Sequence, residues 1–549
     1  MGLFLPVLAI MLAVASSGVI VRFVKLPLPF LQVGVGIALG VFGLKVVIEP
    51  GLFFVLFAAP LLFDEAWRIS KRELHAVRWT VGAMAIGLVV LTVVAVGLLT
   101  NTMLPAVPLA AAFALAAALS PTDAVALKSL PSQMAMPARI RHIVEGEALI
   151  NDATGLVCLQ LAVAAAGASH FSLPYAALDF VWVGAGGLVV GGAATWAFRW
   201  IQRRIIRLGG EHAPTQVLLG LLLPLVAYLG AEALEVSGIL AAVGAGFMMD
   251  RTALSGTGQL ATRMQRGSVW DMLEFTLNGF IFVLLGIQLP LIGLEARDLA
   301  TAYSGGNLVL LASYPLILWA MILVLRLIWI GITVHFTVLR RKRSSQQAGE
   351  RSIHTVSALT LGGVRGVLTL AAVLSIPASI SGGMPFPARN LLIFLAVGTI
   401  LISMVATSVG FPIALRHIGR ANEDPAILRE RRTRRKMAEA AIGEIERAQT
   451  DFLNSGMPAE RAAFDEAAAT LMDEYLAQVE LSSQTEGERA SVRRLGAADR
   501  KLRLAGLQAE RRALYPLRET GEIDEVGFRA LLQELDLAET AIVGDKGQR

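Results

Sequence analysis

The run Gly146-Glu147-Ala148-Leu149-Ile150-Asn151-Asp152-Ala153-Thr154-Gly155 places two carboxylates and an amide inside an apolar stretch. A charged side chain at bilayer depth costs about 2.5–3.5 kcal/mol on insertion scales, so such groups face protein, pair, or exchange protons. Asp152 offers a charged oxygen and Asn151 an amide oxygen. Oxygen donors suit Na⁺, a hard cation, by the logic that governs Mg²⁺ and Ca²⁺. Glu147 lies five residues before Asp152, about 140° round a helix, and so needs a partner on another face. Glu145 and His142, nearer the end of the stretch, read as interfacial.

Three more polar groups interrupt apolar sequence. In Ala118-Leu119-Ser120-Pro121-Thr122-Asp123-Ala124-Val125 the proline removes a donor and clashes with the carbonyl four residues back. A helix broken there frees carbonyls in mid-membrane, as in the broken helices from which transporters build cation sites. Thr122 supplies hydroxyl and carbonyl oxygens, and Asp123 is placed to cap a second half-helix. Leu361-Gly362-Gly363-Val364-Arg365-Gly366-Val367 combines glycines that permit an unwound or closely packed backbone with an arginine that keeps its charge. Arg365 therefore requires a buried acid, and Glu147 is the first choice. Leu61-Leu62-Phe63-Asp64-Glu65-Ala66-Trp67-Arg68 ends another apolar run. Glu65 and Arg68 read as an interfacial cluster with a Trp anchor; Asp64 lies deeper, and either a structural role or a place in the ion path fits it. Arg326 is read as reaching an interface. Asp271 falls at the inner interface, Glu274 is a candidate to line a cytoplasmic funnel, Asn278 is a lesser candidate on the same span, and Glu232 and Glu235 are rim charges. His335 and His354 are loop or interface residues.

These residues need membrane helices to hold them. The 549 residues are 55% hydrophobic and 17% charged, which describes a polytopic membrane protein. The mean hydropathy is +0.63. At about 20 residues per crossing the apolar windows give some thirteen spans, with twelve as the competing count. They fall near 3–21, 27–47, 51–67, 77–99, 106–127, 141–166, 177–198, 215–234, 236–249, 271–293, 306–338, 355–381 and 390–415. The first of these lacks a basic leader and a small-residue cleavage site, so it reads as a retained span. With the N-terminus outside, the inside loops collect Arg22, Arg68, Arg72, Arg139, Arg203 and Arg341 among others. The outside loops hold little beyond Lys45, Arg297 and Arg389, as the positive-inside rule requires. The net charge of +5 follows this topology and does not indicate a nucleic-acid partner. Cys158 is the only cysteine, which excludes an intrachain disulfide and a cysteine metal site.

Residues 1–415 form the expected transmembrane domain and residues 416–549 a helical cytoplasmic tail. The tail carries 22 Lys+Arg and 25 Asp+Glu, with helices expected at 429–447 and 459–479 and turns near 454–456 and 485–487. The basic run from Arg429 to Lys436 suits a solvated helix face or contact with anionic headgroups.

In this order, Leu62-Phe63-Asp64, Pro121-Thr122-Asp123-Ala124-Val125, Gly146 to Asp152 and Gly362-Gly363-Val364-Arg365-Gly366 resemble the monovalent cation:proton antiporter family 1, the NhaP-like sodium/proton exchangers. Phe275 to Leu289, with Asn278, Phe282 and Gly286, looks like the family's pattern as well. The resemblance implies an all-helical inverted-repeat fold with broken helices, and a homodimer whose core domain moves against a dimerisation domain. It implies that Asp152 binds the transported ion, that Glu147 pairs with Arg365, and that Thr122 and Asp64 help complete the site. Asn151 stands where electrogenic relatives carry a second Asp, which implies electroneutral one-for-one exchange. Ala148 and Ala124 depart from the serine and proline common in relatives. The tail matches no motif.

Burial disfavours a bare carboxylate, so Asp152 is expected to hold a proton or Na⁺ in turn, with only the neutralised site crossing the barrier. Na⁺ and H⁺ are then cargo, no cofactor is called for, and the setting is the cell membrane. K⁺ or Li⁺ in place of Na⁺ fits the same residues. A channel would need a continuous polar pore, an anion carrier exposed cations, and a membrane sensor an output through the tail.

Overall fold

A chain that crosses lipid must satisfy its backbone polar groups internally, and the apolar windows accordingly fold as helices. The computed structural model describes residues 4–122, 138–167, 173–249, 260–340, 353–380, 384–417 and 425–544, apart from positions 25, 45, 47, 48, 211, 455–460, 484, 485, 520–522 and 524. Two compact units emerge, Met1–Ala421 and Asn422–Arg549. Among the described residues the only β pairing is an isolated bridge between Ser379 and Pro385.

The first unit begins with α1 (Phe4–Ile20) and α2 (Leu28–Val41). Next come α3 (Pro50–Phe53) and α4 (Ala59–Arg68), joined by a π turn over Phe54–Ala58. A second π turn, Ala83–Leu88, joins α5 (Lys71–Gly82) to α6 (Val89–Met103). A π turn disturbs the regular ladder, and the Ala83 carbonyl is met by the Trp329 indole N–H at 3.0 Å. After α7 (Leu109–Ala118) and α8 (Ala138–Gly167) follow α9 (Leu173–Gly209), α10 (Ala213–Glu232), α11 (Gly238–Met248), α12 (Leu260–Tyr303) and α13 (Leu308–Arg340). The unit closes with α14 (Ile353–Leu361), α15 (Val367–Leu374) and α16 (Arg389–His417). Among the described residues, seven helical stretches are long and apolar enough to cross a membrane, one of them running from α5 through the second π turn into α6, and four shorter apolar helices accompany them.

Part of the interior is built from small residues. Every alanine of α7 between Ala114 and Ala118 is wholly enclosed, because Ala lets neighbouring backbones approach. Position within the bundle differs sharply between helices. The apolar segment of α8 is 61% buried, whereas that of α9 is 17% buried. So α8 runs through the centre, and α9 turns Leu178, Trp182, Val189 and Trp196 outward. An apolar face of this kind suits lipid contact.

The second unit consists of α17 (Pro425–Asn454), α18 (Arg461–Ser483), α19 (Glu486–Glu519) and α20 (Glu525–Gly544). They form two hairpins. In the first, the Phe452 and Phe464 rings stack at 4.4 Å and Gln449 donates to Asp465 at 2.9 Å. In the second, Tyr515 meets Phe528 edge-on at 5.5 Å, and Arg511 reaches Asp536 and Glu539. The hydrogen bond from Arg511 to Glu539 raises the guanidinium pKa against a smaller opposing effect of burial.

Candidate cation site

Pro121 breaks α7, and the break sets the site's geometry. The Ala117 carbonyl, denied an N–H by Pro121, accepts from the Ser120 N–H at 3.1 Å and the Ser120 hydroxyl at 2.8 Å. Beyond it the chain is unwound at Pro121 and Thr122. Thr122 turns its backbone N–H toward α8, donating to Asn151 Oδ1 at 3.3 Å and Asp152 Oδ1 at 3.2 Å. Asn151 answers by donating to the Thr122 hydroxyl at 2.6 Å. Thr122, Asn151 and Asp152 are all buried. One turn further along α8, Gly155 admits the broken segment: a Cβ there would stand 2.4 Å from Ser120 Oγ and 3.0 Å from the Pro121 ring.

A cavity of about 20 Å³ opens beside this cluster. Its polar lining is Glu65, Thr122, Asp152, Asn278 and Thr369, and its apolar wall includes Leu61, Leu62 and Leu368. That volume holds a water or a small ion, which needs several polar partners. Oxygens from carboxylates, an amide and hydroxyls are the donors a hard cation takes. Asp123 lies outside the described residues, so its place beside this cluster is not part of the geometry.

Two of the buried arginines, Arg326 and Arg365, do not have the partners the sequence suggested. Glu147 was expected on Arg365. Instead Arg326 holds Glu147 with both forks, Nη1 on Oε1 and Nη2 on Oε2, the latter at 2.8 Å. Both side chains are almost wholly enclosed, at 2% and 1% exposure. Arg326, read as interfacial, thus lies deep in the bundle, and its Nε donates to the Leu359 carbonyl at 3.1 Å. Helical phase explains part of this: Glu147 points away from Asp152 and toward α13. The proline break explains the rest. Carbonyls freed in a dry interior need a donor, and Arg365 Nη1 takes both, donating to Ser120 O and to Pro121 O at 2.9 Å. Arg365 itself sits between α14 and α15, where the chain unwinds through Gly362 to Gly366, and its backbone N–H donates to Ser403 Oγ at 3.1 Å. Arg365 remains within electrostatic range of Glu147 and Asp152.

Asp64, for which a structural role and a place in the ion path both stood open, has a partner at i+4. It is buried, but its Oδ2 lies 2.7 Å from Arg68 Nε, and the described lining of the cavity holds Glu65 rather than Asp64. Successive helical residues differ by 100°, so only one of two adjacent acids faces the cavity. A signal was present in the sequence: Asp64 and Arg68 stand at i, i+4, the spacing of a helical ion pair. Applying that rule assigns Asp64 to Arg68 and leaves Glu65 for the cavity. Asn278, noted only as a lesser candidate, lines the cavity from α12. His142 and Glu145 stand together at the start of α8, where His142 Nε2 meets Glu73 and Nδ1 lies 3.8 Å from Glu145.

The chain is similar to known proteins in sequence and in fold. Residues 8–417 match a family model described as "Sodium/hydrogen exchanger, transmembrane". A curated relative, the uncharacterized Na⁺/H⁺ exchanger YjcE of Escherichia coli (strain K12), is 38% identical over 99% of both chains. The sodium, potassium, lithium and rubidium/H⁺ antiporter of Bacillus pumilus is 35% identical over 96% of this chain and 76% of its own length. Among solved structures, the sodium proton antiporter MjNhaP1 of Methanocaldococcus jannaschii superposes with a TM-score of 0.58 at 20% identity, over 76% of this chain and all of that one. The arrangement of helices is therefore that of the MjNhaP1 fold.

Proposed function

The chain belongs to the sodium/hydrogen exchanger family, and on that premise we propose that it exchanges Na⁺ for H⁺ by letting the two compete for the Asp152 carboxylate. The coarser statements come with the family: this is a multi-pass membrane protein, a transporter rather than an enzyme, whose activity is antiport of a monovalent cation against protons. K⁺ and Li⁺ belong to the same proposal, because the relative from Bacillus pumilus is named for all of them.

One observation supports the finer reading most directly. A buried carboxylate on the central helix, held by the backbone of a broken helix, faces a cavity the size of one small ion. Ionised and empty, Asp152 opposes movement through a low-dielectric barrier. A bound proton or Na⁺ neutralises it, so only loaded states cross, and exchange is obligatory. Glu147 is bound up with Arg326 and contributes a fixed, neutral pair. Asn151 adds an amide and no charge. With a single titrating carboxylate, one cation exchanges for one proton and no net charge moves.

Glu65 supports a second reading. It is a second carboxylate on the same cavity. If Glu65 also gives up a proton to each cation, two protons move per cation and exchange becomes electrogenic. Glu65→Gln then abolishes voltage dependence, whereas under one-for-one exchange wild-type flux is already indifferent to voltage.

The test is cation-induced dequenching of a pH dye in everted vesicles, with Na⁺, K⁺ and Li⁺ in separate runs. Asp152→Asn should abolish exchange in a protein that still folds. Lowering the pH on the cation side should raise the apparent KM for Na⁺, because protons occupy the shared carboxylate. A KM indifferent to pH, or exchange retained by Asp152→Asn, overturns the proposal. The proposal also has the N-terminus outside and the tail in the cytoplasm, a reading that the basic loops support and that accessibility labelling of residues 22 and 432 tests. A homodimer belongs to the same proposal; a monomer under native mass measurement in lipid overturns that part.

A further inference from the structure

The exchange reading leaves unused a line of acidic groups between the cavity and the end of α4. On α12, Asp271, Glu274 and Asn278 stand at i, i+3 and i+7, within about 60° of one another round the helix. Asn278 lines the cavity together with Glu65 and Asp152. Arg68 turns all three guanidinium nitrogens onto carboxylates along this line. Its Nε lies 2.7 Å from Asp64 Oδ2, Nη1 2.9 Å from Asp271 Oδ1 and Nη2 3.8 Å from Glu274 Oε2. The Asp64 side chain is 3% exposed, that of Arg68 33% and that of Asp271 67%, so Arg68 stands where the acidic line meets water. Arg266 packs over the Trp67 ring at 6.0 Å, beside the same end of α4.

We propose that Arg68 is a positioning residue for the cation: a tethered counter-ion that occupies the carboxylates of the access path to Asp152 and thereby sets cation affinity from that side. The inference deepens the Asp152 proposal and rests on it. Four carboxylates, Asp64, Glu65, Asp271 and Glu274, concentrate small cations near the path, since clefts lined by one sign of charge focus the field. A guanidinium bonded among them cancels part of that field and competes for the same oxygens. Because Arg68 and Asp271 are partly exposed to water, the effect is screened beyond about 8 Å at physiological salt.

The experiment measures Na⁺-dependent flux in everted vesicles carrying the full-length chain, with KM and maximal rate read separately. Arg68→Gln should lower the KM for Na⁺ about 3–10-fold, as expected for removing one partly screened charge near the path. Arg68→Lys keeps the charge and should stay near the wild-type KM. The paired variant Asp271→Asn/Glu274→Gln should raise the KM by a similar factor without changing the maximal rate. Raising ionic strength with a non-transported salt should shrink both differences. A KM unchanged or raised in Arg68→Gln overturns the inference, and so does a KM unchanged in the paired variant, which keeps the Asp64–Arg68 bond and serves even if Arg68→Gln folds poorly. Failure of the underlying reading looks different: wild-type vesicles then show no flux that depends on Asp152.

Discussion

Where α7 ends, the unwound carbonyls of Ser120 and Pro121 accept from Arg365; where α14 ends, the carbonyl of Leu359 accepts from Arg326. Both interruptions meet the same need. A helix that stops inside a membrane exposes the negative end of its dipole and carbonyls without donors, and in each case a buried guanidinium supplies both charge and hydrogen bonds. The two arginines are balanced differently. Arg326 is paired ion to ion, with both oxygens of Glu147. Arg365 is paired ion to dipole, with backbone carbonyls, and part of its positive field is left to act near Asp152. The second break thus closes on a fixed neutral pair. The first leaves a carboxylate beside a cavity, with a cation within electrostatic range of it. The comparison separates structural charge from working charge within one bundle.

The largest effect expected is on the Arg326–Glu147 pair. Arg326→Ala strands a buried carboxylate, which costs about 3–5 kcal/mol when one partner of a buried pair is removed. Glu147→Ala strands the guanidinium in the same way. Removing both should cost less than the sum of the two single changes, by thermal unfolding in detergent. Additive costs would mean that the pair is not coupled and would undo the contrast with Arg365. Next comes Arg365→Gln. It leaves the Ser120 and Pro121 carbonyls without a charged donor, at about 1–3 kcal/mol. Its larger signature is functional: exchange should fall at least tenfold, about 1.4 kcal/mol of barrier, as the break loosens around Thr122. Arg365→Lys keeps the charge but lacks the fork, and should fall between wild type and Arg365→Gln. Full activity in Arg365→Gln would show that the first break holds its shape without the guanidinium.

Much of this was legible in the sequence, for reasons tied to particular residues. Pro121 inside an apolar run signals a break, because no helix supplies its missing N–H. Asn151 and Asp152 signal a site, because charge at bilayer depth needs a reason. The apolar windows fall on helices because lipid permits little else. The pairings were less legible. Arg365 was matched with an acid because a buried cation calls for one, yet backbone carbonyls are acceptors too and leave no mark in a sequence. Arg326 looked peripheral because α13 is long and its depth in the bundle depends on packing against α14. Glu65 and Asp64 differ by one position, and the 100° between them decides which faces the cavity. Only the i, i+4 spacing of Asp64 and Arg68 carried that information.

Two glycines sharpen the comparison without touching any charge. At Gly363 a Cβ would stand 2.6 Å from Arg326 Nε and Cζ; at Gly155 it would stand 2.4 Å from Ser120 Oγ. Alanine at either position overpacks the interior, at about 1–3 kcal/mol. The consequences should diverge. Gly363→Ala displaces the fixed pair and lowers the unfolding temperature, with little change in KM among the molecules that remain folded. Gly155→Ala pushes Ser120 and Pro121 away from α8, moves Thr122 off Asp152, and raises the KM for Na⁺. Equal changes of KM in both variants would erase the distinction between a structural and a working break.

The smallest effect tests the working break by a single bond. Thr122→Val removes the hydroxyl that accepts from Asn151 at 2.6 Å but keeps the backbone N–H that donates to Asp152 at 3.2 Å. A lost internal hydrogen bond costs about 0.5–1.5 kcal/mol, so the KM for Na⁺ should rise about 2–10-fold at that cost. Thr122→Ser restores the hydroxyl without the methyl and should return most of the affinity. The two outcomes separate what side chain and backbone contribute. If valine leaves KM unchanged, the hydroxyl serves only to hold Asn151, and the backbone N–H of the broken helix is enough to position the Asp152 carboxylate for the ion. If valine raises KM and serine restores it, the oxygen of residue 122 belongs to the ion's surroundings, and the break at Pro121 delivers both a backbone donor for the carboxylate and a hydroxyl acceptor for the cation.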